Sequence, residues 1–75
     1  MKTYYLRFEN VYVKVDSITK EVVNVIKFPT QKSITKLNSQ DYYNTIINQI
    51  DTWTIIDEAT FSENYNEVLA YLEAT

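Results

Sequence analysis

The chain has 75 residues, 45% hydrophobic and 23% charged, with 7 Lys+Arg against 10 Asp+Glu and a formal net charge of −3. It contains no Gly, no Cys and no His. Their absence excludes Ser-His-Asp and Cys-His nucleophile systems, thiol redox centres, zinc sites of the usual nitrogen and sulfur kind, P-loops, dinucleotide-binding turns and EF-hand loops.

The length allows a single domain, residues 1–75, and a chain of this size buries only roughly 60% of the surface its unfolded form exposes. Seven Tyr, three Phe and one Trp supply bulky core material, so the composition is that of a globular protein. Ile, Asn, Lys and Tyr dominate while Ala, Pro and Arg are scarce, the signature of AT-rich codons. Opening with Met1, the chain reads as a complete small open reading frame of bacterial, bacteriophage or mobile-element origin. The longest unbroken apolar run is Val68-Leu69-Ala70-Tyr71-Leu72, so the expectation is a soluble cytoplasmic protein, in the host cytoplasm if phage-encoded, with no membrane segment.

The first elements read as strands, because β-branched and aromatic residues alternate with polar ones. Tyr4, Leu6 and Phe8 share one phase and Val11, Val13 and Val15 the other. A tight turn at Glu9-Asn10 accommodates the change, with Asn10 expected in the left-handed conformation that Gly usually supplies. A second turn, Asp16 to Lys20, is marked by Asp and Ser, which hydrogen-bond their own backbone. Glu21 to Phe28 returns as a third strand, and its facing stays open because Val22 and Ile26 compete with Val23 and Val25. Apolar residues on both faces would make that strand central or covered. Residues 29–38, around Pro29, are expected to be a connector.

The period then becomes helical. Tyr42, Tyr43, Ile46, Ile47 and Ile50 fall on one face, with Ser39 or Asn38 as N-cap. Thr52 to Ile56 is too short and too β-branched for a helix and reads as a fourth strand. A second helix follows, with Phe61, Tyr65, Val68, Leu69 and Leu72 on one face and Thr60 with Glu63 as an expected capping box. The fold class expected is therefore α+β: a two-layer β-β-β-α-β-α domain, in which an antiparallel meander packs one face against two amphipathic helices. Leu6, Phe8, Val13, Val15, Val23, Val25, Ile46, Ile47, Ile50, Trp53, Ile55, Phe61, Tyr65, Val68, Leu69 and Leu72 are the expected core.

Charge is divided along the chain. Residues 1–36 hold all seven basic side chains with three acids, a net of +4; residues 37–75 hold seven acids and no base, a net of −7. Ordinary solvated helices intersperse both signs, and AT-rich codons favour Lys, so its absence after Lys36 is not codon drift. The leading functional expectation is a non-enzymatic protein-protein interaction module. It would dock an acidic helical face of Asp57, Glu58, Glu63, Glu67, Tyr71 and Glu73 on a partner protein with a basic surface, as an inhibitor or assembly component. Small residues at Ala70 and Ala74 beside Tyr71 also suit a homo-oligomer.

The alternative is a nucleic-acid-binding sheet face of Tyr5, Arg7, Tyr12 and Lys14, with Lys2 and Lys27 nearby. There bases would stack on rings while phosphates meet cations. It ranks second, because an exposed antiparallel face commonly uses Tyr, Lys and Arg as cross-strand neighbours. No catalytic residue, cofactor or metal site is assigned. Asp51 and Asp57 stand about 20 Å apart at the ends of a strand, and Glu63 with Glu67 alone makes a weak cation clamp.

Overall fold

The structure, a computed structural model, describes residues 3–74. Five strands and two helices follow in the order β1 (Thr3–Phe8), β2 (Val11–Asp16), β3 (Glu21–Lys27), β4 (Lys32–Asn38), α1 (Gln40–Asn48), a 3₁₀ turn (Ile50–Thr52), β5 (Thr54–Ile55) and α2 (Glu58–Ala74). The fold is α+β, built on one antiparallel sheet with spatial order β4-β3-β2-β1-β5.

Tight turns are made without glycine. Glu9, not Asn10, takes the left-handed conformation between β1 and β2 (φ 53°), and Lys20 takes it at the end of the second turn (φ 62°). A left-handed backbone disfavours any residue with a Cβ, so both turns need local support. At the first, the Arg7 side chain donates Nε–H to the Glu9 carbonyl at 3.0 Å. At the second, Asp16 Oδ1 accepts from the amides of Ile18 (2.8 Å) and Thr19 (3.0 Å), as Asp and Ser at this turn imply.

Residues 29–38 are a hairpin rather than a connector. Phe28 and Gln31 exchange amide-to-carbonyl hydrogen bonds at 2.9 and 3.2 Å around Pro29-Thr30. Lys32 to Asn38 then runs back along β3 in full register, from Lys27↔Lys32 to Glu21↔Asn38. Pro29 suits the turn because its fixed φ matches the first corner residue and it has no amide to leave unpaired. The fourth expected strand survives as the two residues of β5, paired to Leu6 and Arg7.

The register assigns each side chain to a face. Leu6, Val13, Val15 and Val22 point to one side, where Ile46 of α1 completes a buried cluster with Tyr42, Tyr43, Ile47, Ile50 and Trp53 around it. Val23 and Val25 point to the other, where Phe61 and Val68 of α2 close a second cluster against Tyr5, Tyr12, Ile34 and Tyr65. The two helices therefore cover opposite faces. The expected single packed face is corrected to three layers, α1 over sheet over α2, and β3 is apolar on both sides because both sides are covered. Val22 accordingly joins the core, whereas Phe8, Ile55 and Leu72 of the expected core are exposed.

α1 begins at Ser39, whose Oγ accepts from the Tyr42 amide at 3.3 Å. Its Tyr42 hydroxyl accepts from Asn24 Nδ2 at 2.8 Å, tying helix to β3.

Candidate functional site

The expected acidic face depends on how α2 starts. Asp57, not Thr60, caps the helix: its Oδ1 accepts from the Thr60 amide at 2.8 Å, and its carbonyl accepts from the Phe61 amide at 3.2 Å. With the helix beginning at Glu58, Thr60 already lies in its first turn, so the expected Thr60/Glu63 capping box is replaced by an Asp57 cap. The side chain and amide of Thr60 together hold the Asp57 carboxyl below its ordinary value. Asp57 is thus engaged by its own helix.

Glu58 turns inward. The Tyr5 hydroxyl donates to its Oε2 at 3.3 Å, and the Tyr5 phenol is raised above its ordinary pKa by burial first and by the Glu58 carboxylate second. Glu63 is exposed on the outer side of the helix, opposite the buried Phe61 and Val68. One turn further, Glu67 meets Lys27 Nζ of β3 at 2.7 Å, and the same ammonium donates to Asn64 Oδ1 at 3.0 Å. Tyr71 is exposed, with Lys32 Nζ of β4 lying 4.6 Å from its ring centroid. Glu73 is exposed in the last turn.

The six expected face residues are therefore distributed along the helix rather than gathered. Glu58 and Glu73 are separated by about 22 Å of helix at 1.5 Å per residue. Glu63 and Glu67 lie one turn apart, Glu63 on the outer side and Glu67 on the flank toward β3, and among the described residues the salt bridge taken by this helix is Glu67 with Lys27.

Tyr5, Arg7, Tyr12 and Lys14 do share one sheet face, in the pairs Tyr5↔Lys14 and Arg7↔Tyr12. It is the face that α2 covers rather than the solvent face expected. The Tyr5 ring packs 5.6 Å from that of Phe61, Tyr12 lies against the α2 cluster, and the Arg7 guanidinium sits 5.9 Å over the Tyr12 ring. Lys2 lies outside the described residues. Between the first turns of α2 and the sheet lies a groove of about 280 Å³, lined by Tyr5, Lys14, Lys36, Glu58, Phe61 and Tyr65 among others. With Glu21 also on its wall, it mixes two ammonium groups, two carboxylates, two phenols and the Phe61 ring, which suits recognition of charged or zwitterionic groups.

Lys27, Lys32 and Lys36 were not among the leading site residues in the sequence. Their reach toward α2 follows from the strand at 32–38 and from the face that α2 takes. The β-branched pair Ile34-Thr35 in the middle of that segment was the available signal.

Comparison with protein-family models, with curated proteins and with solved structures gave no match. No helix among the described residues is long and apolar enough to cross a membrane, and no group of three or more acidic side chains among them is placed to hold a metal ion.

Proposed function

We propose that this chain is a non-enzymatic protein-interaction module that presents the outer side of α2 to a basic surface on a partner protein, in the cytoplasm of the cell that contains it. The observation that carries this reading is the sidedness of α2. Its inner stripe is spent on Phe61 and Val68, its near flank is tied to the basic sheet through Lys27, and its outer side carries exposed Glu63 with no base anywhere on the helix. A one-signed outer surface raises the encounter rate with an oppositely charged partner and penalises like-charged ones. An inhibitor or assembly component of a nucleic-acid-binding protein fits this chemistry, because an exposed carboxylate can take the place of a phosphate in a basic groove. The nucleic-acid reading of the sheet is not favoured, since stacking needs open rings and α2 packs on Tyr5 and Tyr12.

Glu63→Lys tests the proposal. Glu63 is exposed and makes no described intramolecular hydrogen bond, so the melting temperature should be unchanged. A protein captured from nuclease-treated lysate of the encoding organism by the wild-type chain should bind the variant about tenfold or more weakly. Equal capture by both proteins overturns the reading.

A further inference from the structure

We propose that a second copy of this chain pairs with β4, making one continuous ten-stranded sheet around a two-fold axis at Thr35. This goes beyond the reading above and uses a different surface, since pairing at β4 leaves Glu63 exposed.

Three observations point to the same contact. The first is the edge itself. β4 is the terminal strand of the sheet, seven residues long, with Thr35, Lys36, Leu37 and Asn38 exposed. The opposite edge, β5, has only two residues. An edge this long presents unpaired backbone donors and acceptors as a template for another strand.

The second is register. In a two-fold antiparallel pair, side chains of one face must meet the same face, and like charges placed directly opposite are destabilising. Centring on Thr35 pairs all seven residues and sets Lys32 against Asn38 of the second copy and Lys36 against Ile34 of the second copy. Thr35 meets Thr35, a favourable cross-strand pair. A shift to a centre on Ile34 opposes Lys32 and Lys36, and a shift to Lys36 opposes two copies of that residue. Among registers that pair at least five residues of β4, the edge lysines therefore leave this one rather than blocking all of them.

The third is the exposed end of α2 at this edge. The helix crosses the sheet from β1, where Phe61 meets the Tyr5 ring, past β3, where Glu67 meets Lys27, to β4, where Tyr71 meets Lys32. Its last turn, residues 71–74, is exposed throughout. Leu72 lies on the same inward stripe as Phe61 and Val68, yet it is 37% exposed where they are 5% and 0%. The second copy's β4 extends the sheet beneath that turn, and the two-fold repeats the contact. The register also brings the Lys36 end of the second copy's β4 beside the Lys32 end of the first, under the turn that carries Glu73. Glu73 and Lys36 are both exposed and of opposite sign, so the helix end meets its complement.

Sedimentation equilibrium of the full chain from about 1 µM to about 1 mM reads the outcome, because association follows mass action. A wild-type mass of twice 8.9 kDa at the upper concentrations is expected. Thr35→Asp and Thr35→Lys should each remain folded by circular dichroism, since the site is exposed, and each should weaken dimerisation at least tenfold. Mixed in equal amounts, the two variants should recover the dimer, because only a two-fold through residue 35 brings Asp directly against Lys. A wild-type chain that stays monomeric throughout overturns the proposal. So does a Thr35→Asp protein that dimerises like wild type, which would put the contact elsewhere.

Discussion

Asp16 and Asp57 do for this chain what glycine and backbone capping do elsewhere. Each carboxylate accepts amides at a point where the chain changes direction: Ile18 and Thr19 for Asp16, Thr60 for Asp57. Both are held below their ordinary value of 3.8, Asp16 by the amides of Thr19 and then Ile18, Asp57 by the Thr60 side chain and then its amide. A folded-state pKa below the unfolded one means that the contribution is present above the unfolded value and is lost as pH falls through the folded one. Melting temperature should therefore hold nearly level from pH 7 to about 5 and drop as the pH goes below about 4. An Asp16→Asn, Asp57→Asn double variant keeps an acceptor oxygen but has no carboxyl to titrate, so its acid-side drop should be shallower. Thermal melts of both proteins at pH 6 and pH 3 decide the matter: parallel losses would mean that these carboxylates do not carry the acid sensitivity.

At the scale of elements, legibility followed burial. β3 carried the hint of its position while its facing stayed open: Val22, Val23 and Val25 put apolar side chains on both faces, and a strand covered twice tolerates that. α1 and its Ser39 cap were readable for the reason that a short helix over a sheet must keep a strict apolar stripe. β4 was not, since an edge strand half in solvent mixes Lys32 and Lys36 with Ile34 on one face and Ser33 and Thr35 with Leu37 on the other. Neither face gives the clean alternation of a half-buried strand. The outer placement of Glu63 came directly from helical period. The Lys27 link to Glu67 did not, because it depends on which sheet face α2 occupies.

That link is also energetically minor, which makes α2 a test of what fixes an element in place. The pair is solvent-accessible, with side chains 26% and 57% exposed, so after screening Glu67→Gln should cost less than about 1 kcal/mol. Phe61 is buried against Tyr5 and Tyr65, and Phe61→Ala should cost about 3–4 kcal/mol. Urea titrations monitored by Trp53 fluorescence compare the two. Comparable losses would mean that charge, not the aromatic cluster, docks the helix.

For the whole molecule the decisive feature is that one sheet of small strands supports a helix on each face. A two-layer domain of this length would concentrate its apolar residues on a single face and leave the other to polar groups, and the chain instead divides its valines between two separate clusters. Total stability for a lone core below about 80 residues seldom exceeds about 3–5 kcal/mol, so neither cluster is dispensable. Val22 and Val23 put this to the proof, being adjacent in sequence, opposite in facing, and buried against α1 and α2 respectively. Val22→Ala and Val23→Ala should each cost about 2 kcal/mol from lost burial and residual cavity, lowering the melting temperature by roughly 10 °C in a domain of this size. If the sheet were covered on one face only, one substitution would be nearly silent. Measured side by side at one protein concentration, so that any self-association weighs equally on both, two similar losses support the three-layer packing. One loss and one null result would remove a helix from its face.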